Sequence, residues 1–161
     1  TDGVGFINDL QSKNIDYTNM NILVYGLGGA SKSILNSIKT SRNLFVANRT
    51  EVKIEEAIKK RPNFKKYNGE SLDLVISCAQ NLDLNTTKYF EHLNLSQNTL
   101  LYDINYSNQT NKVFSNLSIV NKNNLYNGIG MLVEQASECF KLWFNKKPEV
   151  EEIKSKLNER L

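Results

Sequence analysis

The chain has 161 residues, 40% apolar and 23% charged, which is the composition of one globular domain of ordinary size. Its net charge of +3 is too small, and its Lys and Arg residues too dispersed, to indicate a nucleic-acid-binding protein. Two distant cysteines and one histidine give no disulfide framework and no histidine-based metal site, and no apolar run approaches the ~20 residues of a membrane span, so we expect a cytoplasmic protein with reduced thiols.

The first predicted elements are two helices separated by a strand. A short helix is expected within Thr1–Lys13, entered through Gly3 and Gly5. The apolar run Asn21–Tyr25 predicts the first strand, and apolar spacing predicts a second helix over Ser31–Lys39.

A glycine-rich turn, Gly26-Leu27-Gly28-Gly29-Ala30, joins the first strand to this helix. A strand, a glycine turn and a helix in succession are typical of a site that binds the phosphates of a dinucleotide. Gly26 permits the sharp turn, and Gly28 has no Cβ, so the backbone can approach a pyrophosphate closely. The N–H groups at the start of the helix then face that anion. We therefore predict that these five residues contact a dinucleotide.

A competing interpretation uses the same residues. Gly26 followed, after four residues, by Ser31-Lys32-Ser33 is one substitution short of the P-loop pattern G-x-x-x-x-G-K-[ST], because Ser31 stands where that pattern has glycine. A P-loop nucleotide-binding protein would place Lys32 and Ser33 on phosphate and Mg²⁺, with Asp103 as the acid that ends a strand. The adjacent glycines of the turn favour the dinucleotide, and the P-loop remains an alternative.

The second predicted strand, Asn43–Asn48, ends in Asn48-Arg49-Thr50. This is the position, ~20 residues past the glycines, where an NAD-binding fold places an acid on the ribose 2′-hydroxyl. Here there is no acid, and Arg49 brings a planar group of donors suited to a phosphate. Lys53, one turn into a helix predicted over Glu51–Arg61, adds a second positive charge. The pattern predicts binding of the 2′-phosphate of NADP.

The rest of the chain continues to alternate between strands and helices. Ser77-Cys78-Ala79-Gln80 follows a buried strand and is predicted to border the ligand, because ligands bind at the carboxyl ends of strands in open α/β sheets. The alternation predicts an α/β fold with a doubly wound parallel sheet of the Rossmann type and C-terminal helices. Further strands are predicted at Phe64–Tyr67, Leu72–Ser77, Thr99–Tyr106 and Leu117–Val120, and helices near Lys88–Leu93, from Thr110, over Gly130–Phe144 and from Pro148.

The last two helices are each predicted to bury an apolar stripe. Gln135 is the polar residue in the stripe of Gly130–Phe144 and is therefore a candidate to contact a ligand, although a structural amide fits equally well. The stripe of the first helix comprises Met131, Leu132, Gln135, Ala136, Cys139, Leu142 and Trp143, and that of the second comprises Val150, Ile153, Leu157 and Leu161.

With these residues identified, the chain resembles the shikimate dehydrogenase family, in particular its C-terminal NADP-binding half. Two segments depart from the family pattern, since Ser77-Cys78-Ala79-Gln80 stands where the family usually has N-[AT]-T-P, and Ser107 stands where it often has proline. The similar segments are, in order, TDGVGF at Thr1–Phe6, GLGGAS at Gly26–Ser31, NRT at Asn48–Thr50, YDINY at Tyr102–Tyr106 with Thr110 after it, and NGIGMLVEQA at Asn127–Ala136.

The resemblance implies an oxidoreductase of the shikimate pathway, which leads to chorismate and the aromatic amino acids. Such an enzyme reversibly reduces 3-dehydroshikimate to shikimate with NADPH. By the resemblance, Asp2 matches the catalytic aspartate, which acts with a lysine of an N-terminal substrate domain. Asp2, Tyr106 and Gln135 then face the substrate, and Ile104 and Gly128 line the nicotinamide side of the cofactor.

The resemblance further implies that residues 1–161 are a single NADP-binding domain, the C-terminal portion of a two-domain enzyme whose N-terminal substrate domain is missing here. We expect this portion alone to bind NADP with little turnover, and we expect no nucleic-acid or membrane partner. Three alternatives stay open beside it: a quinate/shikimate-type dehydrogenase that uses NAD, the P-loop protein, and a non-catalytic NADP-sensing module.

Overall fold

The computed structural model of the chain describes residues 1–80, 84–106, 114 and 116–158. These residues form a six-stranded parallel sheet in the order β3-β2-β1-β4-β5-β6. This order is that of a doubly wound dinucleotide-binding fold, which confirms the predicted α/β class. The strands are β1 (Asn21–Tyr25), β2 (Asn43–Ala47), β3 (Phe64–Lys66), β4 (Leu74–Ser77), β5 (Leu100–Asp103) and β6 (Leu125–Tyr126).

Helices cover both faces of the sheet, so side chains alternate between two apolar cores. In β1, for example, Ile22 and Val24 enter one core, while Leu23 and Tyr25 enter the other. The helices of the described residues are α1 (Asp2–Ser12), α2 (Gly29–Ser37), α3 (Glu51–Lys60), α4 (Leu84–Glu91), α5 (Ile129–Phe144) and α6 (Val150–Asn158), with a 3₁₀ turn at Lys122–Asn124. The first core includes residues of α1, α2, α3 and α5, and the second includes Phe90 of α4 and Phe114.

The two glycines near the start of the chain lie inside α1, so the prediction that they form its entry turn was wrong. A Cβ at Gly3 would lie 2.6 Å from the carbonyl oxygen of Ser33 in α2. A Cβ at Gly5 would lie 2.7 Å from the backbone nitrogen of Gln135 in α5. The glycines therefore let α1 pack closely against both neighbouring helices.

The strand predicted at Leu117–Val120 was also wrong, because this segment is a turn. The amide of Val120 donates to the carbonyl of Leu117 at 3.3 Å, and both side chains are buried in the second core. Apolar residues three apart in such a turn point to the same side, whereas strand residues alternate. The sixth strand is instead β6, directly before Asn127.

The buried face of α5 differs from the predicted stripe. Leu142 and Trp143 are 77% and 75% exposed, and Ala136 is exposed as well. In α6, Ile153 is exposed and Lys154 is buried. Small and ionic side chains share these buried faces with apolar ones, as shown below for Lys154. The buried residues of α5 are Ile129, Gly130, Met131, Val133, Glu134 and Ser137.

Several predictions lie outside the described residues. They are the helix from Thr110, the departure at Ser107 and the end of the last apolar stripe at Leu161. Pro148 lies just before α6, which begins at Val150.

Candidate functional site

A cleft of about 710 Å³ opens at the carboxyl ends of the strands, where the strand order reverses between β1 and β4. This is the crevice in which open α/β sheets bind their ligands. Its walls are Tyr25 with the glycine loop Gly26–Ser31, the segment Asn48–Thr50 with Lys53, the loop Cys78–Gln80 with Thr86, and Ile104–Tyr106.

The glycine loop contains one glycine that the fold requires and two that face open space. Gly26 has a φ of +93°, and a Cβ there would lie 3.0 Å from the backbone nitrogen of Ala79. At Gly28 and Gly29, a Cβ would meet nothing within 4 Å. The first turn of α2 therefore faces the cleft across an open space, as the predicted contact with an anion requires.

The same region does not support the P-loop alternative. The hydroxyl of Ser31 is buried and donates to the carbonyl of Gly28 at 2.8 Å, closing the first turn of α2. Lys32, which would have to reach the phosphates, does not line the cleft and instead borders a groove between α2 and α3.

The side chain of Asn48 ties the end of β2 to the glycine loop. Its Oδ1 accepts from the backbone N–H of Leu27 at 3.1 Å, and its Nδ2 donates to the carbonyl of Thr50 at 3.2 Å. A carboxylate at this position lacks the second of these hydrogen bonds. Asn48 thus connects the glycine loop to the segment that was predicted to bind the 2′-phosphate of NADP.

Arg49, Thr50 and Lys53 all line the cleft beyond Asn48. Thr50 directly precedes α3, so Lys53 lies on the first turn of that helix. Glu51 does not oppose these cations at the cleft, because its carboxylate pairs with Lys66 on β3 at 2.5 Å. The cleft thus combines a helix N-terminus with two positive side chains about 20 residues further along the chain.

The floor of the cleft contains a hydrogen-bonded group that sequence reasoning missed. Asn105 Nδ2 donates to Asp103 Oδ1 at 2.8 Å and to the carbonyl of Ala79 at 2.6 Å. The backbone N–H of Asn105 also donates to Asp103 Oδ1, at 3.1 Å. The signal in the sequence was the pattern Asp-x-Asn at the end of a strand, in which an aspartate bonds the backbone two residues on.

Burial shifts the pKa values of Asp103 and Cys78 at the floor of the cleft. Asp103 is fully buried, and desolvation raises its pKa to about 6, although its hydrogen bonds from Asn105 act in the opposite direction. Burial also raises the pKa of the Cys78 thiol, with a smaller contribution from the charge of Asp103. The thiol at this position is therefore neutral and a poor nucleophile.

The residues matched to the nicotinamide and substrate sides are only partly brought together. Ile104 and Tyr106 line the cleft, with Tyr106 at its exposed rim. Gly128 lies directly against the backbone of Ile104, since a Cβ there would lie 1.8 Å from the carbonyl oxygen of Ile104. Asp2 lies at the start of α1 and Gln135 on the neighbouring α5, and neither lines the cleft.

Two other kinds of feature are absent from the described part of the chain. There, no group of three or more His, Cys, Asp and Glu residues is placed to hold a metal ion. None of the helices described there is long and apolar enough to cross a membrane. The cleft itself has features suited to a phosphorylated dinucleotide.

Comparisons with known proteins find relatives of this chain among the shikimate dehydrogenases. Residues 128–157 match the model of the shikimate 5′-dehydrogenase C-terminal domain. The chain is 32% identical over its whole length to the NADP⁺-dependent shikimate dehydrogenase of Chromobacterium violaceum, of which it covers 63%. It is 34% identical, over 98% of its length, to the shikimate dehydrogenase of Buchnera aphidicola subsp. Schizaphis graminum, of which it covers 61%.

Among solved structures, the chain is similar to shikimate 5-dehydrogenase of Thermus thermophilus in complex with NADP(H) and shikimate. The TM-score is 0.78 at 17% identity, over 99% of this chain and 62% of that one, which shows a shared fold. The chain thus spans about three fifths of the length of the curated relatives described above.

Proposed function

Because the chain belongs to the shikimate dehydrogenase family, we propose that its cleft binds NADP⁺ and NADPH for the reversible reduction of 3-dehydroshikimate to shikimate. The observation that carries the proposal is one cleft that joins the glycine loop to Arg49 and Lys53. The cofactor supplies or accepts the hydride in this reaction. The residues of this chain bind it, orient it and exclude water from it.

Each wall of the cleft has a role in this proposal. The open backbone at Gly28 and Gly29 and the N-terminus of α2 hold the pyrophosphate. The guanidinium of Arg49 and the ammonium of Lys53 hold the 2′-phosphate, which NAD lacks. The apolar side chain of Ile104 packs on the nicotinamide side, where a dry surface favours hydride transfer.

The substrate side is proposed from the family resemblance alone. Asp2 would exchange the proton of the substrate hydroxyl, and Tyr106 and Gln135 would contact the substrate. Since Asp2 and Gln135 do not line the described cleft, we propose that these 161 residues alone bind the cofactor with little turnover. Strong production of NADPH by this chain from shikimate and NADP⁺ would refute that part of the proposal.

The test of the cofactor site is a calorimetric titration with NADP⁺, NAD⁺ and Mg·ATP in parallel. We expect NADP⁺ to bind at least tenfold more tightly than NAD⁺, a difference of ~1.4 kcal/mol. Arg49→Ala should abolish this difference. Arg42→Ala, which removes an arginine outside the cleft, should preserve it. Equal affinities for NADP⁺ and NAD⁺, or binding of Mg·ATP alone, would contradict the proposal.

A further inference from the structure

The floor of the cleft is held by a group that we call the Asn105 clamp, formed by Asp103, Asn105 and the carbonyl of Ala79. The Asn105 amide nitrogen donates both to the Asp103 carboxylate and to Ala79. Asp103 ends β5 and Ala79 follows β4, so the clamp joins the loops that leave two neighbouring strands. Both loops line the cleft.

We propose that Asp103 is a positioning residue for the dinucleotide site, because its carboxylate holds Asn105 in the orientation that sets the spacing of these two loops. Asp103 itself does not line the cleft, so it acts through Ala79, Ile104 and Asn105, which do. This inference rests on the proposed function of the cleft, and the experiments below separate the two.

The clamp gives a role to the buried Asp103 carboxylate, which would otherwise only destabilise the fold. Asp103 Oδ1 accepts two hydrogen bonds, but among the described residues its Oδ2 has no hydrogen-bond partner. The hydroxyl of Ser77, opposite Asp103 in the β4–β5 register, is buried without a partner there as well. A half-satisfied buried carboxylate is costly, and a neutral side chain would avoid that cost. What the carboxylate adds is the greater strength of a charge-assisted hydrogen bond to Asn105.

Ionisation of Asp103 and closure of the clamp favour each other. Among the described residues, those found to interact with this carboxyl are the neutral amide of Asn105 and the thiol of Cys78, and Ser77 lies opposite it in the register of β4 and β5. Hydrogen bonds from Asn105 stabilise the ionised form, so the ionised form must equally stabilise those hydrogen bonds. Since the pKa of Asp103 is about 6, the clamp should tighten as the pH rises through that value.

The first experiment measures the clamp without any ligand. In an isotope-labelled chain, the NMR signals of the Asp103 carboxyl and the Asn105 side-chain amide should share an inflection near the Asp103 pKa of about 6. The Asn105 inflection should vanish in Asp103→Asn. In Asn105→Ala, the Asp103 inflection should move to higher pH, because a hydrogen bond that favours the charged form is gone. An Asp103 inflection that Asn105→Ala leaves unmoved would overturn the inference.

The second experiment connects the clamp to binding. The affinity for NADP⁺ is measured by calorimetry at several pH values in the wild type, in Asp103→Asn and in Asp16→Asn. Asp16 is an aspartate outside the cleft and serves as the matched control. NMR signals remote from the cleft verify that each variant is folded. The 2′-phosphate also titrates near pH ~6, so the difference between variants is the informative quantity.

We expect Asp103→Asn to lose about tenfold in affinity at a pH of about 7.5, as for a weakened charged hydrogen bond, and to show a shallower pH dependence. Asp16→Asn should behave as the wild type. Equal affinity of Asp103→Asn and wild type at every pH would overturn the positioning role. A wild-type chain that does not bind NADP⁺ would instead contradict the proposed function, while the NMR titration still decides whether the clamp exists.

Discussion

At the scale of single residues, the glycine loop separates a requirement of the fold from a requirement of the ligand. Gly26 turns the chain with a positive φ directly against Ala79. Gly28 has an ordinary negative φ and open space where a Cβ would be. An alanine at Gly26 should therefore affect the stability of the fold, whereas an alanine at Gly28 should affect ligand binding.

We expect Gly26→Ala to lower the free energy of unfolding by about 2 kcal/mol, because an L side chain is strained at this φ and crowds the next loop. Gly28→Ala should leave that free energy nearly unchanged and weaken the binding of NADP⁺. Urea unfolding and calorimetry measure the two effects. A stable Gly26→Ala variant, or a Gly28→Ala variant that binds normally, would refute this division of roles.

At the scale of secondary-structure elements, a buried ionic group joins the two C-terminal helices to the start of the chain. Lys154 of α6 contacts Glu134 of α5 at 2.8 Å and Asp9 of α1 at 3.4 Å. Asp9 also pairs with Lys13 and accepts from the Tyr102 hydroxyl of β5 at 2.6 Å. This cluster joins three helices and one strand, and the side chains of Lys154, Glu134 and Asp9 in it are almost fully buried.

Removing Lys154 should leave the buried Glu134 without its cation, while Asp9 keeps its ion pair with Lys13. We expect Lys154→Met to lower the free energy of unfolding by about 3 kcal/mol. Lys156→Met, on the same helix, removes an exposed ion pair with Glu152 and should change the free energy of unfolding by less than about 1 kcal/mol. Equal effects of the two variants in thermal or urea unfolding would show that the buried cluster contributes no more than a surface pair.

Lys154 also makes the stability of the fold depend on pH, in a direction that follows from its pKa shift. Burial lowers the pKa of Lys154, but the hydrogen bond to Glu134 and the charge of Asp9 outweigh it, so the pKa is raised above 10.5. A raised pKa means that the folded state holds this proton more tightly than the unfolded chain does. Its contribution to stability is complete below pH 10.5 and disappears as the pH rises through the raised value. That alkaline loss should be absent in Lys154→Met.

Elements such as β1 and β2 could be predicted closely because buried parallel strands are nearly continuous apolar runs. The meeting of the glycine loop and Asn48-Arg49-Thr50 at one cleft could be predicted, because the ~20 residues between them are typical of dinucleotide-binding folds. The Asn105 clamp could not, because it depends on β4 lying beside β5. The buried face of α6 was mispredicted for a related reason, since buried Lys154 has partners on α1 and α5, which its own helix does not reveal.

At the scale of the whole molecule, the cleft is built from loops that follow four strands, so ligand binding should stabilise the entire sheet. A ligand that binds only the folded state adds about 2.7 kcal/mol when its concentration is about 100 times its dissociation constant. For a chain of this size we expect NADP⁺ at that excess to raise Tm by about 5–10 °C. NAD⁺ at the same concentration should raise it by about half as much if it binds about tenfold more weakly, and equal shifts would contradict a site for the 2′-phosphate.

The exposed C-terminal end of α5 determines whether tryptophan fluorescence can follow unfolding or cofactor binding. Trp143 is the only tryptophan in the sequence, and it is 75% exposed. Its fluorescence therefore reports a water-exposed indole in the folded chain, as it does in the unfolded one. Emission will change little when the cores melt, and a cofactor in the cleft has no tryptophan in its walls to quench. A tryptophan introduced at Tyr25, which lies in both the second core and the cleft wall, would provide the optical signal that the native chain lacks.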